Sequence, residues 1–171
     1  MRNIVVFDNN REFKTYLKNQ LELINIECVI NECPKKFYGS CDYVIVNNGE
    51  YLDGYKENLS GKYLLINMDM LGDSIINFNG NVVTYGLGNR NTVTVSSMEK
   101  GNGSFVYCLQ RALAGNNLLV IQPEEIPIKT YFKDNYELYS FMVTITIALI
   151  EGINSDSIRK YFNLRINNLP K

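Results

Sequence analysis

The chain has no histidine and no tryptophan among its 171 residues. Without histidine there is no Ser–His–Asp or Cys–His set for nucleophilic catalysis, and a zinc site would have to be built from thiolates or carboxylates alone. The four cysteines, Cys28, Cys33, Cys41 and Cys108, include no C-x-x-C pair, so they read as reduced, structural thiols. Neither sign of charge dominates. The net charge is −1 and the pI about 5.5, which leaves no basic footprint for nucleic acid. Long hydrophobic runs are missing too. The longest, residues 141–150, lies between Glu137 and Glu151 and falls short of the about 20 residues that cross a bilayer. No leader pattern opens the chain, since Arg2 and Asn3 run straight into a short strand. The expected setting is the cytoplasm, with no membrane partner.

What is present suits one α/β domain over residues 1–171. The 46% hydrophobic content is ordinary for a packed core, and a chain of this size buries about 70% of its unfolded surface without staples. Asparagine is frequent beside isoleucine, lysine and tyrosine, which reads as an A/T-rich coding bias of a bacterial kind.

The reading is organised around residues 81–111. A strand runs into Tyr85-Gly86-Leu87-Gly88, and two alternating segments follow at 92–97 and 104–111. Val93 with Val95, then Phe105, Tyr107 and Leu109, give the period-two signal of half-buried strands. Gly101-Asn102-Gly103 makes a hairpin turn between them, and Asn116-Asn117 turns into a further strand at 118–122. Before this antiparallel meander come apolar strands at 4–7, 26–30, 43–46 and 63–67, with a helix at 11–23 whose face is Phe13, Tyr16, Leu17 and Leu21. Asn9 or Asn10 caps that helix. The spacing predicts an open, mostly parallel sheet continuing into the meander, with helices packed on it. Pro123 and Pro127 are expected to break the chain. Residues 136–151 are expected to be a buried helix despite the β-branched run from Val143 to Ile147. Ser155 or Asp156 then caps a short helix at 157–162, followed by an extended tail.

The strand ending in Thr84-Tyr85-Gly86, the meander, the helix start Asp134-Asn135-Tyr136-Glu137-Leu138, and the later Glu151-Gly152-Ile153 and Asp156-Ser157-Ile158 form a succession. It resembles the later part of the central domain of Mur ligases and their folylpolyglutamate synthetase relatives, enzymes that form amide bonds with ATP. The resemblance implies a P-loop-like, Mur-central-domain-like fold. It also marks where a nucleotide and magnesium would sit. The family's Gly-Thr-Asn-Gly-Lys-Thr type loop falls on Phe7-Asp8-Asn9-Asn10-Arg11-Glu12, where both glycines are gone and Arg11 takes the lysine position. The residues that would meet a nucleotide or anion, if one binds, are Asp8, Asn9, Asn10, Arg11 and Asn135. The family's magnesium glutamate aligns with Asn47, with Glu50 three residues later. Asn67-Met68-Asp69-Met70-Leu71 matches either the family's Asn…Asp-His-Leu magnesium segment or its Asn-x-Asp-Asp strand end. Glu50 and Asp69 are therefore the carboxylates left for a metal.

The resemblance thus points to a non-catalytic, Mur-ligase-like module without cofactor, in which no catalytic residue is assigned. Such a module would bind a protein partner or itself, with Tyr51, Tyr55, Tyr63, Tyr131, Tyr136 and Tyr139 as candidate interface aromatics. The alternatives are an ATP- and magnesium-dependent ligase with a degenerate loop, or a small-molecule sensor using the strand ends at Asp8, Asn47 and Asp69.

Overall fold

Strand β1 (Arg2–Phe7) starts the chain, and its residues from Ile4 onward are buried on both faces. The computed structural model describes residues 1–32, 41–52, 59–99 and 103–167. Helix α1 (Arg11–Leu23) begins where Asn10 accepts hydrogen bonds from the Glu12 and Phe13 amides, and it buries Phe13, Leu17, Gln20 and Leu21. Next come β2 (Cys28–Glu32), β3 (Cys41–Val46), β4 (Leu59–Asn67), β5 (Phe78–Tyr85), β6 (Val93–Glu99) and β7 (Ser104–Leu109). A two-stranded ribbon, β8 (Leu113–Ala114) with β9 (Val120–Ile121), precedes β10 (Glu124–Lys129). Helices α2 (Asn135–Ile150) and α3 (Ser155–Asn167) complete the described chain.

The main sheet has the order β10-β7-β6-β5-β4-β3-β1-β2. All pairings from β2 to β6 are parallel, and β6-β7 and β7-β10 are antiparallel. The expected open, mostly parallel sheet with an antiparallel continuation is present. Its details differ in two ways. The segment ending at Tyr85 belongs to the parallel part, joined to β6 by the single pair Tyr85↔Val93. The third antiparallel strand is β10 and not residues 118–122, where Leu118 is exposed at the tip of the small ribbon. Pro127 does not break β10, because β10 is the edge strand. Pro127 sits exposed opposite Val106, while Ile126 and Ile128 point into the core. A proline without its N–H is tolerated at an edge.

All three described helices bury their apolar residues in one core, on one face of the sheet. Helix α2 is buried from Glu137 to Ile150. Its β-branched run therefore has no polar side to display, and burial overrides the strand propensity of those residues. Phe141 packs against Phe105 of β7 and Phe162 of α3, with ring centroids 5.5 and 5.1 Å away. Thr144 donates to Gln20 of α1 at 3.1 Å. At its far end, Glu151 accepts from Arg2 and from the Tyr43 hydroxyl, each at 2.5 Å. Helix α3 is longer than expected and continues past residue 162. Its start is capped by Asn154, which accepts from the Ser157 amide, instead of by Ser155 or Asp156. The opposite face of β1, β3 and β4 is covered by connecting segments carrying Tyr51, Leu52, Leu71 and Ile76. The loop expected between β2 and β3, the tyrosine-bearing stretch around Tyr55 and the hairpin turn at 100–102 lie outside the described residues.

Candidate functional site

In parallel sheets, ligands sit outside the carboxyl ends of the strands. Here those ends carry Asp8 after β1, Asn47 after β3, Asn67 at the end of β4 and Tyr85 at the end of β5. All four are buried, and they bond to one another. Asn47 donates to Asp8 Oδ2 at 2.5 Å, and its Oδ1 accepts from Asn67 at 3.0 Å and from the Tyr85 hydroxyl at 2.8 Å. The other Asp8 oxygen accepts from the Asn10 amide at 2.8 Å. Burial, with the Asp8 carboxylate next, pushes the Tyr85 hydroxyl well above its ordinary pKa, so it stays a proton donor.

A second group of bonds sits just above. Asp69 Oδ2 accepts from the Tyr139 hydroxyl of α2 at 2.9 Å and from the Leu87 amide at 2.7 Å. The Asp69 amide donates to Asn67 Oδ1 at 3.0 Å, which links the two groups. Burial, then the bond to Asp69, raises the Tyr139 pKa. The chain passes Asp69 so closely at Gly86 that a Cβ there would lie 2.7 Å from Asp69 Oδ1, and Gly86 has a φ of +147°. Gly49 is equally constrained, because a Cβ would lie 2.0 Å from the Leu71 carbonyl. That contact locks the turn after β3 against the turn after β4.

The residues singled out from the sequence are only partly brought together. Asp8 and Asn10 lie at the same turn, but each is engaged in holding that turn and the start of α1. Asn9 is exposed there. Arg11 is exposed and lines an open groove with Lys14, Thr15, Lys18 and Ile30, on the β2 side of α1 and away from the strand-end network. Asn135 is the exposed first residue of α2, and the capping is done by Asp134, which accepts from the Glu137 amide at 3.0 Å. Glu50 and Asp69 share one cavity, which is open, has a volume of about 600 Å³ and is also lined by Asn48, Asp73 and Ser74. Among the described residues, no cluster of three or more metal-binding side chains is placed to hold an ion. As they stand, these groups do not fit a triphosphate with magnesium. The Glu12 and Phe13 amides, which would face a phosphate, are already bonded to Asn10, and the Asn47 amide is spent within the network.

Sequence reasoning named the strand ends Asp8, Asn47 and Asp69 but missed the bonds that join them through Asn67, and Tyr85 and Tyr139 as donors. The available signal was that β1, β3 and β4 are each closed by Asp or Asn. Of the tyrosines proposed for an interface, Tyr63 and Tyr139 are buried in the core, whereas Tyr131 is exposed. No described helix is long and apolar enough to cross a membrane.

Comparison with protein-family models gives no match, and neither does comparison with curated protein sequences. Among solved structures, the chain is similar to MurF from Acinetobacter baumannii, at 8% identity and a TM-score of 0.47. The similarity covers 95% of this chain and 45% of that one, so the chain spans under half the length of that neighbour.

Proposed function

We propose that this chain is a non-catalytic binding module with a Mur-ligase-like build, working in a bacterial cytoplasm through a protein partner or a second copy of itself. The observation that carries the reading is the closed first turn. A phosphoryl-transfer site needs backbone N–H groups free to cradle phosphates and a metal to spread the developing charge. Here Asn10 takes the Glu12 and Phe13 amides in the first turn of α1, and the Asp8 carboxylate places a negative charge at the same turn. Helix N-termini attract anions only while those amides are available. Binding to a partner fits the exposed apolar ribbon tip at Leu118, Leu119 and Val120. A connection to cell-wall metabolism rests on the sequence resemblance alone.

The expected result is no ATP turnover with magnesium or manganese, and no thermal shift in millimolar ATP. Turnover by the wild type that disappears in Arg11→Ala would overturn the reading and favour the degenerate ligase. A second reading, a small-molecule sensor, draws on the cavity that joins Glu50, Asp69 and Asp73 at the strand ends. It predicts saturable binding that Asp69→Asn weakens.

A further inference from the structure

The three helices leave the other face of the antiparallel wing uncovered by any described helix. On that face the register sets Thr94 of β6 opposite Cys108 of β7, and Cys108 opposite Glu125 of β10. Their chain neighbours Val93, Tyr107, Leu109 and Ile126 all point into the helical core, so by strand alternation these three side chains share the face turned away from the helices. A cavity of about 710 Å³ opens over this row, with Ser96 beside it and Leu87 and Pro123 among its walls. That volume lies in the range of small-molecule sites.

Thr94 is only 6% exposed, yet its hydroxyl has no hydrogen-bond partner. Buried hydroxyls are ordinarily bonded, so an unpaired one beside a cavity is a group waiting for a partner. The Cys108 thiol reaches Glu125 Oε1 at 3.6 Å, and burial raises its pKa, keeping it neutral. Among the described residues, no lysine or arginine lines the cavity. The wall therefore offers two carboxylates, Glu124 and Glu125, and hydroxyl acceptors, with an apolar surface next to them. A primary ammonium carries three donors and one positive charge, which match such a wall.

We propose that the cavity over the Thr94–Cys108–Glu125 row is a binding site for a small ligand bearing a primary ammonium group on an apolar stem. The ammonium bonds to Glu125 and the hydroxyls, and the stem lies against Leu87 and Pro123. The polar residues of this site, Thr94, Ser96, Cys108 and Glu125, lie outside the strand-end network, which the cavity borders at Leu87, whose amide bonds to Asp69.

The test is an NMR titration of the isotope-labelled chain with n-butylammonium, with n-butanol and butyrate as matched neutral and anionic probes. Saturable shifts of the Thr94, Ser96 and Cys108 amides with butylammonium alone are expected. Glu125→Gln, at an exposed position, should weaken binding by about tenfold, the loss of one charge-assisted contact, with the rest of the spectrum unchanged. Thr94→Val keeps the shape and should also weaken it. Absence of saturable shifts, an equal response to butyrate or butanol, or unchanged affinity in Glu125→Gln would each overturn the proposal.

Discussion

Truncating Asn47 to alanine tests the strand-end network most directly. The Asn47 side chain makes three bonds, to Asp8, Asn67 and Tyr85, and it is fully buried. Its removal leaves Asp8 Oδ2, the Asn67 amide and the Tyr85 hydroxyl each short of a partner. Unsatisfied buried groups cost about 1–3 kcal/mol apiece. Partial relaxation and entry of water lower the sum, so the expected loss is roughly 3–5 kcal/mol, a large share of a typical domain's about 5–15 kcal/mol. Urea unfolding followed by circular dichroism measures it. Asn47→Asp adds a pH signature. The new carboxylate would lie against Asp8, and two buried carboxylates in contact cannot both ionise, so the pair holds a proton to a raised pKa in the folded state. A folded-state pKa above the unfolded value gives stability that is full in acid and lost as pH rises through the raised value. Asn47→Asp should therefore be clearly more stable near pH 4 than near pH 7, relative to wild type. If Asn47→Ala costs less than about 1 kcal/mol, or if Asn47→Asp tracks the wild type across pH, the network is not holding the strand ends.

Two further outcomes follow from the core. Ile145 is fully buried in α2, so Ile145→Asp should cost several kcal/mol or abolish folding; a soluble variant with an unchanged melting temperature would place that side of α2 at the surface. Burial, with the Asp42 carboxylate next, pushes the Cys41 thiol from 9.0 to about 11. At pH 8 that leaves about a hundredfold less thiolate than an ordinary cysteine, so Cys41 should resist iodoacetamide in the native protein and react on unfolding. Mass spectrometry of the digest reads this, and native labelling at the unfolded rate would refute it.

The apolar strands at the start were legible because parallel strands buried on both faces are written as continuous runs, as in Ile4–Phe7 and Tyr43–Val46. Helix α2 was legible by length and apolar breadth, against the propensity of its β-branched run. Strand β10 was not, because Pro123 and Pro127 read as punctuation until the sheet order shows that β10 is an edge. The strand-end network was hidden for another reason. Asn47 and Asp8 are 39 residues apart, and an Asn or Asp closing a strand looks like any turn residue. Only the side-by-side order of β1, β3, β4 and β5 turns three separate turn signals and one strand-end tyrosine into one bonded group.

The position of α2 in the chain has a consequence for biosynthesis. The main sheet is complete in sequence by Lys129, but two of the three helices on its apolar face, α2 and α3, begin only at Asn135 and Ser155. A polypeptide leaving the ribosome from its N-terminus thus displays Val83, Phe105, Tyr107, Ile126 and their neighbours before their cover exists. Such transiently open apolar surface is where nascent chains aggregate or recruit chaperones. The two late helices that complete the finished core set the moment at which the chain first becomes safe from its own sheet.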